Sequence, residues 1–282
     1  MKLRFKHQKF QADAAKAVVD VFAGQPYLTP SYMIDRGYEG KTMKGEEFSQ
    51  ISATEEQDFT GWSNHKIVPE LSDRLILEHL QKIQRENQIE PSPKLEGRYN
   101  LTVEMETGVG KTYTYIKTMY ELNRAYGWSK FIVVVPSIAI REGVYKTFQV
   151  TEEHFAEEYG KKIRFFIYNS AQLTEIDRFA SDSSINVMII NSQAFNARGN
   201  DARRIYMKLD EFRSRRPIDI IAKTNPILII DEPQSVEGKK TKENLKQFNP
   251  LLTLRYSATH KSDSIYNMVY RLDAMDAYNK RL

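Results

Sequence analysis

The feature that most constrains this chain is a strand-length apolar run that ends in a glycine loop and passes straight into a helix. Asn100–Met105 predicts a β-strand. Glu106-Thr107-Gly108-Val109-Gly110-Lys111-Thr112 follows, and a helical run extends from Tyr113 to Tyr126. Gly108 and Gly110 allow the backbone conformations that turn amide groups toward an anion. The helix aims its positive N-terminus at the same point. In such a loop, completed by Thr107 and Val109, Lys111 reaches the β- and γ-phosphates of a nucleotide and the Thr112 hydroxyl ligates Mg²⁺. The usual first glycine of the eight-residue pattern is Met105 here.

Further apolar, β-branched runs lie at Phe131–Val135, Ile163–Tyr168, Val187–Ile190, Ile227–Ile230 and Leu252–Tyr256, separated by helix-length stretches. They are continuous rather than alternating, as expected of strands covered on both faces. Strands that alternate with helices imply an α/β fold with a mainly parallel sheet. Ligands then sit beyond the carboxyl ends of the strands, so chemistry is expected just after each run. Upstream, residues 8–22 predict a helix with Ala14, Ala15, Val18, Val19 and Phe22 on one face. Residues 71–88 predict a second, with a stripe of Leu71, Leu75, Ile76, Leu80 and Ile83. Residues 27–70 between them predict a loop-rich insertion with room for short strands.

A phosphate loop needs an acidic partner for its metal. Ile227–Ile230 ends in Asp231-Glu232-Pro233-Gln234. The strand delivers Asp231 to the carboxyl edge, where it can hold Mg²⁺. Glu232 is then the group that positions and deprotonates the attacking water, and Pro233 is expected to keep it extended. Three more segments follow strands: Pro136 to Glu142, Asn191 to Asn196, and Ser257 to His260. Each offers hydroxyl, amide or guanidinium groups suited to backbone phosphates, or to nothing more than a helix cap.

Composition closes other routes. The chain has 282 residues and no cysteine, which excludes disulfides, thiolate metal sites and a cysteine nucleophile, and fits a reducing cytoplasm. Its five histidines are scattered without metal-ligand spacing, no run is long enough to span a membrane, and the N-terminus lacks the apolar core of a secretory signal. The net charge of +4 resides in the segment Arg198–Arg216, with a second basic run at Lys239–Lys246. Either run suits phosphates or is a solvated face.

Together these segments resemble the first RecA-like motor domain of superfamily 2 helicases, in the order Phe-Gln, Thr-Gly-Val-Gly-Lys-Thr, Pro-Ser, Asp-Glu-x-x and Ser-Ala-Thr. They are more similar still to the restriction (Res) subunit of bacterial type III restriction–modification enzymes. VEMETGVGKTYTYIKTMYELN, FIVVVPSIAIREGVYKTF, ILIIDEPQSVEG, LRYSATH and YNMVYRLDAMDAYNKRL carry that likeness. The resemblance implies that Gln11 reads the adenine edge of ATP, and that Lys111 and Thr112 hold phosphate and Mg²⁺. It implies that Asp231 binds the metal and Glu232 activates water. Ser257 and Thr259 would link ATP state to DNA, and Ser137, Arg141, Asn191 and Ser192 would touch the DNA backbone. Residues 1–98 would form an adenine-reading helix, an insertion and an amphipathic helix packed on a motor domain at 99–282.

The implied partners are double-stranded DNA and a separate methyltransferase (Mod) subunit, with no membrane. A second motor domain and a nuclease domain are expected beyond Leu282, so the chain reads as a fragment that binds ATP with little turnover. Another superfamily 2 translocase, a small-molecule kinase on the same loop, and a non-catalytic nucleotide switch remain open at this stage.

Overall fold

Every residue of Lys130–Val135 is buried because the strand it forms lies in the interior of a sheet covered on both faces. Phe131, Val133 and Val135 enter one apolar cluster, while Ile132 and Val134 enter another on the opposite face. That division explains the continuous apolar runs. The structure is a computed structural model and describes residues 5–35, 59–97, 99–196, 204–212, 215–236, 238–258 and 266–272.

The strands are β1 (Ser31–Asp35), β2 (Phe59–Ser63), β3 (Asn100–Met105), β4 (Lys130–Val135), β5 (Arg164–Ile167), β6 (Asn186–Asn191), β7 (Ile227–Asp231), β8 (Leu252–Ser257) and β9 (Asn267–Leu272). Seven of them form one sheet in the order β5-β6-β4-β7-β8-β3-β9. All its pairings are parallel. This is the expected α/β, RecA-like P-loop class, with β8 lying between the glycine-loop strand β3 and the acidic strand β7. β9 is not among the strands expected from the apolar runs. Asn267–Leu272 pairs with β3, and all of it except Arg271 is buried.

The helices that cover the sheet have plain causes. α1 (Lys9–Val21) buries Ala14, Ala15, Val18 and Val21. α2 (Asp73–Glu86) is capped by Ser72, whose hydroxyl accepts from the Leu75 N–H, and carries Asp73 in its first turn and Arg85 in its last. Of its predicted stripe, Leu75 stands 39% exposed, so the buried face runs through Ile76, Leu80 and Ile83. α3 (Lys111–Tyr126) ends at Gly127, where a Cβ would meet the Leu28 carbonyl oxygen at 2.0 Å. α4 (Ile138–Tyr159) starts on a Ser137 cap, and α5 (Thr174–Ser181) follows β5.

Asn64 helps to tie the insertion down. Asn64, 1% exposed, donates to the Lys130 and Asn225 carbonyls and accepts from the Ser129 and Lys130 N–H groups. β1 and β2 form an antiparallel pair just before it. Residues 36–58 and 273–282 lie outside the described residues. Among the described residues no helix is long and apolar enough to cross a membrane.

The basic segment Arg198–Arg216 is put to structural use where it is described. Arg215 is buried, pairs with Asp177 at 2.7 Å and lies 4.5 Å over the Phe212 ring. Arg216 pairs with Asp219, and Arg204 donates to the Ser170 carbonyl. Arg198, Arg203 and Arg213 lie outside the described residues.

Candidate functional site

Because the seven strands are parallel, the segments after β3, β4, β6, β7 and β8 open on one edge of the sheet. Met105, at the position of the missing glycine, is the last residue of β3 and pairs with Leu272. It still has strand geometry, so a side chain is tolerated there. Gly108 and Gly110 take φ of +86° and +90°, which other residues adopt only with strain. A Cβ on Gly108 would meet nothing within 4 Å, whereas one on Gly110 would come 2.8 Å from Gln11 Nε2.

Gly110 is the N-cap of α3 and has no side chain to satisfy the first-turn amides. Thr114 N–H is the first to bond back, to the Gly110 carbonyl at 3.0 Å. The N–H groups of Lys111, Thr112 and Tyr113 are left to face an anion. Gln11, 7% exposed on α1, donates its amide to the Val109 carbonyl at 3.1 Å and braces the loop from behind. Thr107 N–H is held by the Glu106 carboxylate at 2.7 Å.

The acidic pair is opposite the loop. Asp231 ends β7 at 5% exposure, and the Tyr115 hydroxyl donates to its Oδ2 at 3.4 Å. Tyr115, one turn along α3 and wholly buried, also lies close to the Thr112 side chain. Burial pushes the Asp231 carboxyl up to about 6, and the Glu232 charge adds to the rise. Glu232 Oε1 is 2.9 Å from Lys111 Nζ. Gln234 Nε2 donates to its Oε2 at 2.7 Å, and Ser257 Oγ lies 2.8 Å from that oxygen and from Gln234 Oε1. Burial alone would raise the Glu232 carboxyl, but the bonds from Lys111, Gln234 and Ser257 outweigh it and hold the pKa below its usual value.

Glu232 is not extended as expected. Its φ is +52°, and its N–H donates to the Tyr256 carbonyl at 2.9 Å. Pro233 bars the right-handed helical region at Glu232, yet it opens the short helix Pro233–Val236. The left-handed turn meets both demands, and the carboxylate's three partners hold it there.

The remaining predicted residues line the same edge without converging on the loop. Ser137 Oγ accepts from the Ile140 N–H, and Arg141 pairs with the neighbouring Glu142 at 2.8 Å. Asn191 ends β6, and the Ser192 N–H donates to the Val135 carbonyl. Thr259 lies outside the described residues. Tyr115 and Gln234 were not among the expected site residues. The spacing of Tyr115 three residues after Thr112 was the available signal, since that places both on one helix face.

Residues 45–262 match the sequence pattern of the family described as "Type III restriction enzyme, res subunit". The chain belongs to that family. The EcoP15I Res subunit of Escherichia coli is 36% identical to this Res-family chain over 201 residues, covering 64% of the chain and 20% of the relative. The EcoPI Res subunit of Escherichia phage P1 is 33% identical over 255 residues, covering 82% of the chain and 26% of the relative. The Res-family chain thus spans a fifth to a quarter of these relatives' length. A solved structure of the type ISP restriction-modification enzyme LlaGI with a DNA substrate mimic superposes with a TM-score of 0.41 at 12% identity, covering 73% of this chain and 20% of that one. The Sulfolobus solfataricus SWI2/SNF2 ATPase core superposes with a TM-score of 0.38 at 13% identity, covering 73% and 36%.

Proposed function

We propose that this Res-family chain binds Mg-ATP at residues 107–112 and forms the first RecA-like motor domain of a cytoplasmic restriction subunit. That subunit would act on double-stranded DNA with a methyltransferase (Mod) partner. The observation that carries the reading is the meeting of Lys111, Thr112, Asp231 and Glu232 at one sheet edge. The donor set suits the ligand. Open-faced Gly108 and the uncapped start of α3 suit phosphate, and Thr112 and Asp231, both beside Tyr115, offer hard oxygens to a small cation. Bound Mg²⁺ would neutralise charge on the β- and γ-phosphates.

The chain's own residues then divide the work. Lys111 exchanges its Glu232 partner for phosphate, a charge-assisted contact of the same kind. Losing that partner returns proton affinity to Glu232, which positions a water and accepts its proton. Ser257 and Gln234 keep the carboxylate aimed while Lys111 is engaged elsewhere, and Ser257 passes the state of the site to β8. Gln11 supports the loop through Val109 and presents the rest of its amide to adenine. Ser137, Arg141, Asn191, Ser192 and Thr259 belong to the DNA-facing edge in this reading, residues 1–98 to the adenine-reading and insertion part, and 99–282 to the motor part.

Turnover by residues 1–282 alone is expected to be slow. An added arginine is worth about 10³–10⁵ in rate in comparable phosphoryl-transfer enzymes. In this reading a second motor domain of the longer subunit supplies it. The test is calorimetry of ATP binding with and without Mg²⁺, followed by phosphate release with and without duplex DNA. Binding that ignores Mg²⁺ and Lys111→Ala would overturn the proposal.

A further inference from the structure

Away from the nucleotide site, three ligating side chains from distant parts of the sequence meet. His7 precedes α1, while His154 and Glu158 lie one turn apart on α4. Their ligand atoms all lie within 4.8 Å of one another. Glu158 Oε2 is 3.9 Å from His7 Nδ1 and 3.7 Å from His154 Nε2. The histidines show no metal-ligand spacing in the sequence because only the fold closes the gap between positions 7 and 154. We propose that His7, His154 and Glu158 form a transition-metal site, suited to Zn²⁺, that fastens the segment before α1 to α4.

The spacing of His154 and Glu158 puts both on one face of the helix. Their side chains are 12% and 25% exposed, so that half of the site is held by its surroundings. The His7 side chain is 68% exposed and free to close. Zinc takes nitrogen at about 2.0–2.1 Å, which sets tetrahedral ligand edges of about 3.3 Å, so the widest separation in the set needs to contract by up to about 1.5 Å. Lys117 Nζ binds the other Glu158 oxygen, Oε1, at 2.5 Å and is itself bonded to the Tyr159 hydroxyl. It therefore orients the carboxylate with Oε2 toward the imidazoles, as outer-shell partners of metal ligands do. Its positive charge opposes a cation, and Glu158 and Glu157 offset it at His154. The Tyr113 hydroxyl, 2.7 Å from His154 Nε2, gives way to the metal there and is placed to hydrogen-bond a water in the fourth position.

Two imidazoles and one carboxylate favour Zn²⁺, Co²⁺ or Ni²⁺ over Mg²⁺ or Ca²⁺. The site is therefore chemically separate from the nucleotide site and stands or falls without it. Closure would also fix Phe5, whose ring lies 5.3 Å from His154 and 5.9 Å from Tyr113, and hence the start of the Gln11 helix.

The test is Zn²⁺ calorimetry and Co²⁺ absorption on the untagged 282-residue chain after chelator treatment. The expected result is one saturable site per chain and visible Co²⁺ bands typical of mixed nitrogen and oxygen ligation. His7→Ala and His154→Gln should each weaken binding by at least about 100-fold, beyond the 10- to 100-fold cost of losing an outer-shell partner. His65→Ala should bind as wild type does. His7 is exposed, so His7→Ala keeps the fold, which circular dichroism checks. Wild type without a saturable site, or His7→Ala with wild-type affinity, overturns the proposal.

Discussion

Lys111 and Glu232 close an ion pair across the mouth of the glycine loop, Nζ to Oε1 at 2.9 Å, with both side chains less than a quarter exposed. A phosphate reaching Lys111 has to part them. The two residues therefore give opposite variant signatures. Lys111→Ala deletes the phosphate contact and should weaken ATP binding at least about tenfold, the equivalent of roughly 1.4 kcal/mol. Glu232→Gln removes the competing carboxylate and should bind ATP at least as tightly as wild type while losing phosphate release. Calorimetry and a phosphate assay on both variants check this. Equal affinities for wild type and Lys111→Ala would place the nucleotide elsewhere.

Tyr115 offers a sharper test of the metal ligands. Its hydroxyl donates to Asp231 and lies beside Thr112, so Tyr115→Phe loosens the carboxylate while preserving the packing. The Mg²⁺ concentration for half-maximal ATP binding should rise about three- to tenfold, as expected for one hydrogen bond worth about 1 kcal/mol. An unchanged Mg²⁺ requirement would reduce Tyr115 to a core residue.

Gln11 donates to Val109 and is nearly buried, so its removal acts on the loop as well as on any base above it. Gln11→Ala should lower ATP affinity and narrow the preference for ATP over GTP. Competition binding with the two nucleotides separates these effects. A lower affinity with the same preference would confine Gln11 to bracing the loop.

Arg215 is expected to matter for stability rather than for nucleic acid. It is buried, paired with Asp177 and stacked on Phe212. Arg215→Ala should cost roughly 1–3 kcal/mol, because Asp177 is left without its partner but keeps some solvent. Chemical denaturation reads this directly. A change below about 0.5 kcal/mol would return Arg215 to the solvated surface.

Lys130 predicts a pH dependence. Its side chain is buried in β4 and donates to the Phe179 and Asp182 carbonyls near the end of α5. Burial pushes its pKa from 10.5 down to about 7. Between those values the unfolded chain binds the proton and the folded chain does not. Stability should therefore rise as pH rises from about 7 toward 10, by at most about 1.4 kcal/mol per pH unit. Lys130→Met should lack this rise. Urea midpoints at pH 7.5 and 9 for both proteins provide the measurement, and parallel midpoints would refute it.

Local chemistry wrote much of this protein into its sequence. The phosphate loop was legible because glycine, lysine and threonine at fixed spacing between a strand and a helix meet the needs of an anion within one stretch of chain. Six of the seven strands of the large sheet were legible, the interior ones because two covered faces demand unbroken apolar runs and β5, at the edge, because its own run is apolar and aromatic. Other features depended on groups far apart in sequence. β9 was hidden because Asn267–Leu272 mixes polar and apolar residues, and only its place beside β3 buries it. The left-handed turn at Glu232 followed from Lys111 and Ser257 reaching it from other elements. Arg215 looked like surface charge until Asp177 and Phe212 enclosed it. His7 and His154 became neighbours only when the segment before α1 was laid against α4. Sequence determines what a short segment can satisfy by itself, whereas burial and long-range pairing exist only once the chain has brought its distant parts together.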